Sequence, residues 1–167
     1  MATVRVVAGI AAPPQRCFDL ARSMDAHRET TSHTGERIVV GRVAGLLEPN
    51  ERVTFEAKHL GWTHRFTAEI VAFDPPMFFR DRMVRGPFKH FEHDHRFEAV
   101  GGGTRMTDEL RFAAPLGPLG WLAERLVLRR HLRLFLTRRG EALRSIAESD
   151  AWKPFLEAEG KAGADVL

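Results

Sequence analysis

The strongest constraint on the fold is a change of hydrophobic period late in the chain. From about residue 36 to residue 113, apolar and polar residues alternate in segments separated by turn signals. From Leu119 to Ile146, apolar residues instead recur at helical spacing. The alternating segments are Arg37–Arg42, Glu51–His59, Trp62–Phe73, Met77–Val84, Phe88–Ala99 and Thr104–Ala113. Leu60-Gly61, Asp74-Pro75-Pro76, Gly86-Pro87 and Gly101-Gly102-Gly103 punctuate them. Strands joined by such short turns pair antiparallel. The helical stretch carries Trp121, Leu122, Leu126, Leu128, Leu132, Phe135, Ala142, Leu143 and Ile146 as a broad stripe, which must be buried against something.

Ahead of these segments, Thr3–Ile10 reads as a first strand. Pro13-Pro14 opens a short helix over Pro14–Arg22, since proline suits a first helical turn, and a second short helix fits Asp25–Thr31. The expected order is strand, two short helices, six strands and one long helix. This is an α+β helix-grip fold, with a curved antiparallel sheet of about seven strands wrapped around a long C-terminal helix. At 167 residues one domain is expected, over 1–147. The tail 148–167 is expected to be loose. No stretch reaches the length of apolar sequence needed to cross a bilayer, and the short β-branched N-terminus followed by prolines does not read as a signal peptide, so a cytoplasmic protein is expected.

Alternation also sorts the side chains by face. The inner face is expected to carry Val53, Phe55, Ala57 and His59 on one strand and Trp62, His64, Phe66, Ala68 and Ile70 on the next. Phe79 and Asp81 follow, then Phe91, His93, His95 and Phe97, then Met106, Asp108, Leu110 and Phe112. The face is greasy and aromatic, with ionisable exceptions at His59, His64, Asp81, His93, His95 and Asp108. Burying such groups is costly unless they pair, so Asp81 or Asp108 is expected to accept from His93 or His95. The expected ligand-contacting set is His59, Trp62, His64, Phe66, Phe79, Asp81, Phe91, His93, His95, Phe97, Met106, Asp108, Leu110 and, from the helix, Phe135. His93, His95, Asp81 and Asp108 are the candidates for acid/base chemistry. His93-x-His95 with a carboxylate also has the make-up of a two-His-one-carboxylate metal set. His-x-His alone is a weak signal, and no metal or cofactor is expected. Cys17, the single cysteine, reads as a buried inert thiol. Gly101-Gly102-Gly103 lies between strands and reads as a hairpin turn, with no role in cradling phosphate.

Several stretches resemble the SRPBCC (START/Bet v 1-like) superfamily. They are Ala12-Pro13-Pro14-Gln15-Arg16-Cys17-Phe18-Asp19, the run Phe79–Phe88, Phe91-Glu92-His93-Asp94-His95-Arg96-Phe97, Gly103–Asp108, and Ala114-Pro115-Leu116-Gly117-Pro118-Leu119-Gly120. More narrowly, the chain is similar to bacterial single-domain members labelled polyketide cyclase/dehydrase-like or ligand-binding. The resemblance spans about residues 3–147. It implies a deep hydrophobic cavity under the long helix and carries over no catalytic residue. The expected function is binding of a small hydrophobic molecule (a lipid, quinone or aromatic polyketide-like compound) as carrier or sensor. The alternative is a cyclase- or dehydratase-type enzyme using the inner-face His/Asp patch.

The formal charge is +3. Between Arg125 and Arg144 stand seven arginines against one acid, Glu141. The simplest reading is a solvated helix face whose stems cover apolar surface. The functional reading is an approach to an anionic membrane surface. The arginines lack interleaved exposed aromatics and no recognition motif is present, which argues against a nucleic-acid partner.

Overall fold

The computed structural model describes residues 1–59 and 62–162, in backbone only at 33, 58, 59, 62 and 158–162. The strands are β1 (Ala2–Ile10), β2 (Arg37–Val40), β3 (Arg52–His59), β4 (Trp62–Asp74), β5 (Phe78–Arg85), β6 (His90–Val100) and β7 (Gly103–Ala113). Two short helices, α1 (Pro14–Arg22) and α2 (Met24–Thr30), follow β1. After β7 come α3 (Gly117–Ala123), a π turn over Glu124–Leu128, α4 (Arg129–Glu148) and α5 (Lys153–Ala162). The seven strands form one sheet in the order β1-β7-β6-β5-β4-β3-β2, and every pairing is antiparallel. The α+β helix-grip arrangement is therefore as the sequence indicates. β2 stops two residues early: Gly41 has φ 98°, and a side chain there would meet the Arg52 backbone.

One part of the interior is solid and another is open. α4 packs along β1 and beside α1 and α2. Its residues Leu143, Ile146 and Ala147 join Ile10, Phe18, Phe97 and Met106 in the main core, while Leu136 joins Val4, Leu110 and Phe112. Phe18 anchors α1 to the sheet through edge-on contacts with Phe73, Phe79 and Phe97 at 5.4–5.7 Å between ring centroids.

The final helical stretch differs from the expected single helix in two respects. The π turn bends Glu124 inward, where it accepts from the Ala114 amide at 2.7 Å. Along α3 and the π turn, Trp121, Leu122 and Leu126 are exposed and not part of a buried stripe. The Pro115-Leu116-Gly117-Pro118-Leu119-Gly120 turn depends on Gly120: a β-carbon there would lie 1.9 Å from the Pro115 carbonyl oxygen. After α4 the described chain continues in short helical turns. Ser149 caps a short 3-10 turn, and Trp152, Phe155 and Leu156 pack on the main core. Arg16 also lies 4.3 Å over the Trp152 ring.

Candidate functional site

Between the first half of α4 and strands β3–β6 the sheet curves away from the helix and leaves a cavity of about 350 Å³. Its walls are mainly apolar. Val53, Phe55, Ala57, Phe66, Ala68 and Ile70 come from β3 and β4, Phe79 and Phe91 from β5 and β6, and Leu128, Leu132 and Phe135 from the helical side. Phe88, Ala114 and Pro115 line it as well. His27 and Glu36, joined at 2.5 Å, sit on one wall.

The pairing register builds the polar end. Asp81 stands opposite His93 across β5 and β6, and His95 stands opposite Asp108 across β6 and β7. Period two turns all four inward. His95 is gripped from both sides, with Nε2 3.0 Å from Asp81 Oδ2 and Nδ1 2.6 Å from Asp108 Oδ1. His93 Nε2 lies 3.3 Å from the same Asp108 oxygen, and its Nδ1 lies 3.8 Å from Asp81 Oδ2. His93 Nε2, His95 Nδ1 and Asp108 Oδ1 are all buried without a well-aligned hydrogen bond. The His95 ring stacks on Phe79 at 4.2 Å.

The two imidazoles titrate apart. Burial and the charge of His95 push His93 down, and the neighbouring carboxylates do not make up the difference. Burial also works against the His95 cation, but Asp108 and Asp81 outweigh it and raise its pKa. Burial would raise Asp81 and Asp108, yet the imidazoles hold both carboxyls below the usual range, Asp108 far below. The set can relay a proton through His95, grip an oxygen of a bound molecule, or offer nitrogen and oxygen ligands to an ion.

Of the residues singled out from sequence, His64, Phe66, Phe79, Asp81, Phe91, His93, His95 and Phe135 line the cavity. Phe97 and Met106 lie instead in the core beneath α1 and α4, and Leu110 packs against Leu136. Asp108 stands behind the two histidines, off the wall. The His59 and Trp62 side chains lie outside the described residues. The arginine-rich stretch also needs a correction at one position. Arg139 is buried, lines the cavity and donates from Nη2 to the Ala21 carbonyl at 3.1 Å, while its Nε has no hydrogen-bond partner. Its helical spacing from Leu132, Leu136 and Leu143 is the signal that places it inside.

Asp94 is the second residue whose burial the sequence alone does not show. Alternation puts it on the outer face, but it is fully buried there under arginines. Arg80 Nε and Nη2 donate to it at 2.5 and 2.9 Å, and Arg96 Nη2 at 2.9 Å, with Arg111 Nη2 3.1 Å away. This network ties β5, β6 and β7 together directly behind the His/Asp cluster.

The sequence profile of the family described as polyketide cyclase / dehydrase and lipid transport matches residues 1–148. No curated protein matches the sequence. Among solved structures, TTHA0849 from Thermus thermophilus is 21% identical, covers 87% of this chain and 99% of its own, and has a TM-score of 0.68. A START superfamily protein from Mycobacterium smegmatis is 13% identical over 87% of this chain and 97% of its own, with a TM-score of 0.67. The major latex-like protein 151 of Panax ginseng is 14% identical over 89% and 98%, with a TM-score of 0.61. At these identities the likeness concerns the fold.

Proposed function

This chain belongs to the polyketide cyclase/dehydrase and lipid transport family, and on that premise we propose that it is a cytoplasmic carrier or sensor for one small hydrophobic molecule held under α4. One observation carries the reading: the cavity is aromatic and aliphatic along most of its wall, and Asp81, His93, His95 and Arg139 bring polar groups together on it. Ligand sites characteristically combine a large apolar surface with a few convergent polar groups, in volumes of about 300–1,000 Å³. The apolar wall fits an apolar body, and the group of Asp81, His93, His95 and Arg139 fits an oxygen-bearing head, as in a fatty acid, a quinone or an aromatic polyketide. Native mass spectrometry of gently purified protein, alone and mixed with those three classes, tests this. A one-to-one complex with at least one class is expected. Bare protein throughout would defeat the reading.

The surface around the cavity edge supports a membrane as the source of that molecule. Leu116, Leu119, Trp121, Leu122, Leu126 and Val127 are exposed on α3 and the π turn, next to the cavity-lining Pro115 and Leu128. Arg125, Arg129, Arg130 and Arg133 are exposed beside them, with Arg125 5.0 Å over the Trp121 ring. An apolar strip flanked by arginines suits the interface of an anionic bilayer, where each nearby cation contributes about 1 kcal/mol. Sedimentation with vesicles containing phosphatidylserine is expected to exceed that with phosphatidylcholine alone, and Trp121→Glu with Leu126→Glu is expected to weaken it about tenfold or more. Equal sedimentation with both vesicles, or none at low salt, would remove the membrane from the reading.

A further inference from the structure

We propose that Asp81, His93 and His95 form a binding site for one divalent transition-metal ion, with Asp108 as the carboxylate that orients both imidazoles from behind. Each of the three residues offers one ligand atom, and these atoms lie within 4.8 Å of one another. Asp81 Oδ2 is 3.0 Å from His95 Nε2 and 3.8 Å from His93 Nδ1. Ligands held about 2.0–2.2 Å from a common ion stand about 3–3.5 Å apart, so a small inward movement of His93 completes the set.

A purely structural hydrogen-bond network leaves His93 unexplained: His95 has one aligned hydrogen bond, to Asp81, whereas neither nitrogen of His93 has one. The Nδ1 of His93 points towards Asp81 from beyond hydrogen-bond reach, although the residue is more than nine-tenths buried. An ion between the two groups gives that nitrogen a partner. The other nitrogens, His93 Nε2 and His95 Nδ1, both converge on Asp108 Oδ1 at 3.3 and 2.6 Å. A carboxylate behind a metal-bound imidazole is the usual outer partner, and it fixes which nitrogen faces the ion. Here one carboxylate serves two rings, because β6 presents His93 and His95 on the same face and β7 places Asp108 opposite His95.

The donor set favours imidazole-seeking ions such as Zn(II), Fe(II) or Co(II) over Mg(II) or Ca(II), which prefer oxygen-rich shells. With both imidazoles neutral, as ligation requires, two carboxylates against the single guanidinium of Arg139 leave an excess of negative charge for a dication to offset. Three protein ligands leave further coordination positions, and Asp81, His93 and His95 all lie on the cavity wall. An oxygen of the bound molecule, from a carboxylate, carbonyl or phenolate, would reach the ion there. That last contact rests on the ligand reading above; the ion itself does not.

The test begins with the full chain stripped by a chelator and titrated with Co(II) in the absence of any organic ligand. One Co(II) per chain with visible d–d absorption of a nitrogen-and-oxygen site is expected, displaced by Zn(II). Asp81→Asn is expected to weaken binding on the order of 100-fold, and Asp108→Asn about 10–100-fold while keeping one ion per chain. No saturable binding of Co(II), Zn(II) or anaerobic Fe(II) by folded protein would overturn the site, as would binding that survives Asp81→Asn and His93→Ala unchanged. If those variants fail to fold, anomalous scattering from wild-type crystals grown with Co(II) decides, since a peak elsewhere or no peak refutes the assignment. Metal binding without organic ligand, or the reverse, separates this proposal from the cavity reading.

Discussion

Phe18→Ala is expected to lower the free energy of unfolding by about 3–5 kcal/mol, the range for emptying a large aromatic from a packed core. Phe18 has no exposed surface. Its ring meets Phe73, Phe79 and Phe97 edge-on, from three different strands. It is also the main inward residue of α1, whose other buried positions are the smaller Cys17, Leu20 and Ala21. Removing it leaves a void and loosens the element that closes this end of the sheet beside α4. Since domains of this kind are stable by about 5–15 kcal/mol, the variant should unfold at much lower urea concentration, with a midpoint temperature lower on the order of 10 °C. Tryptophan fluorescence during urea unfolding measures this. A loss below about 1 kcal/mol would mean that the ring is not packed as described.

Ala68→Trp is expected to have the largest effect on binding. Ala68 lies on β4 between Val53 and Met83, and its side chain points into the cavity. An indole there occupies the space that the ligand needs, but a strand tolerates the residue and an open cavity receives it without displacing the core. Affinity for whichever lipid, quinone or polyketide binds the wild type should fall about 100-fold or more, equivalent to about 2.7 kcal/mol. Stability should change by no more than the ~1–3 kcal/mol of an overpacked site. Isothermal titration with paired urea melts separates these effects. Unchanged affinity in a folded variant would place the ligand somewhere else.

Much of this architecture is legible in the sequence because strand period two and hairpin spacing are local signals. They place Asp81, His93, His95 and Asp108 on one face, and adjacent strands then bring them together. Alternation cannot show how far along the strands the helix covers that face. Phe97, Met106 and Leu110 share the face with His95, yet α1 and α4 seal them into the core. Only the stretch of sheet left uncovered becomes cavity wall. Charge misleads at two positions for opposite reasons. Arg139 stands in sequence among exposed arginines, but its helical phase matches Leu132 and Leu143, and its guanidinium reaches the cavity. Asp94 is on the predicted outer face, but Arg80, Arg96 and Arg111 converge on it and exclude water. Trp121, Leu122 and Leu126 fall in the predicted stripe and are nonetheless exposed, because helical periodicity reports a common face, and not whether anything lies against it.

The space under α4 is tested most directly by a crystal structure of protein mixed with the molecule that native mass spectrometry identifies. The expected result is density for that molecule between Phe66, Phe91 and Phe135, its oxygen-bearing end within hydrogen-bonding or coordinating distance of His95, Asp81 or Arg139. Side chains collapsed into a filled interior, or the molecule bound outside while the cavity stays empty, would contradict it.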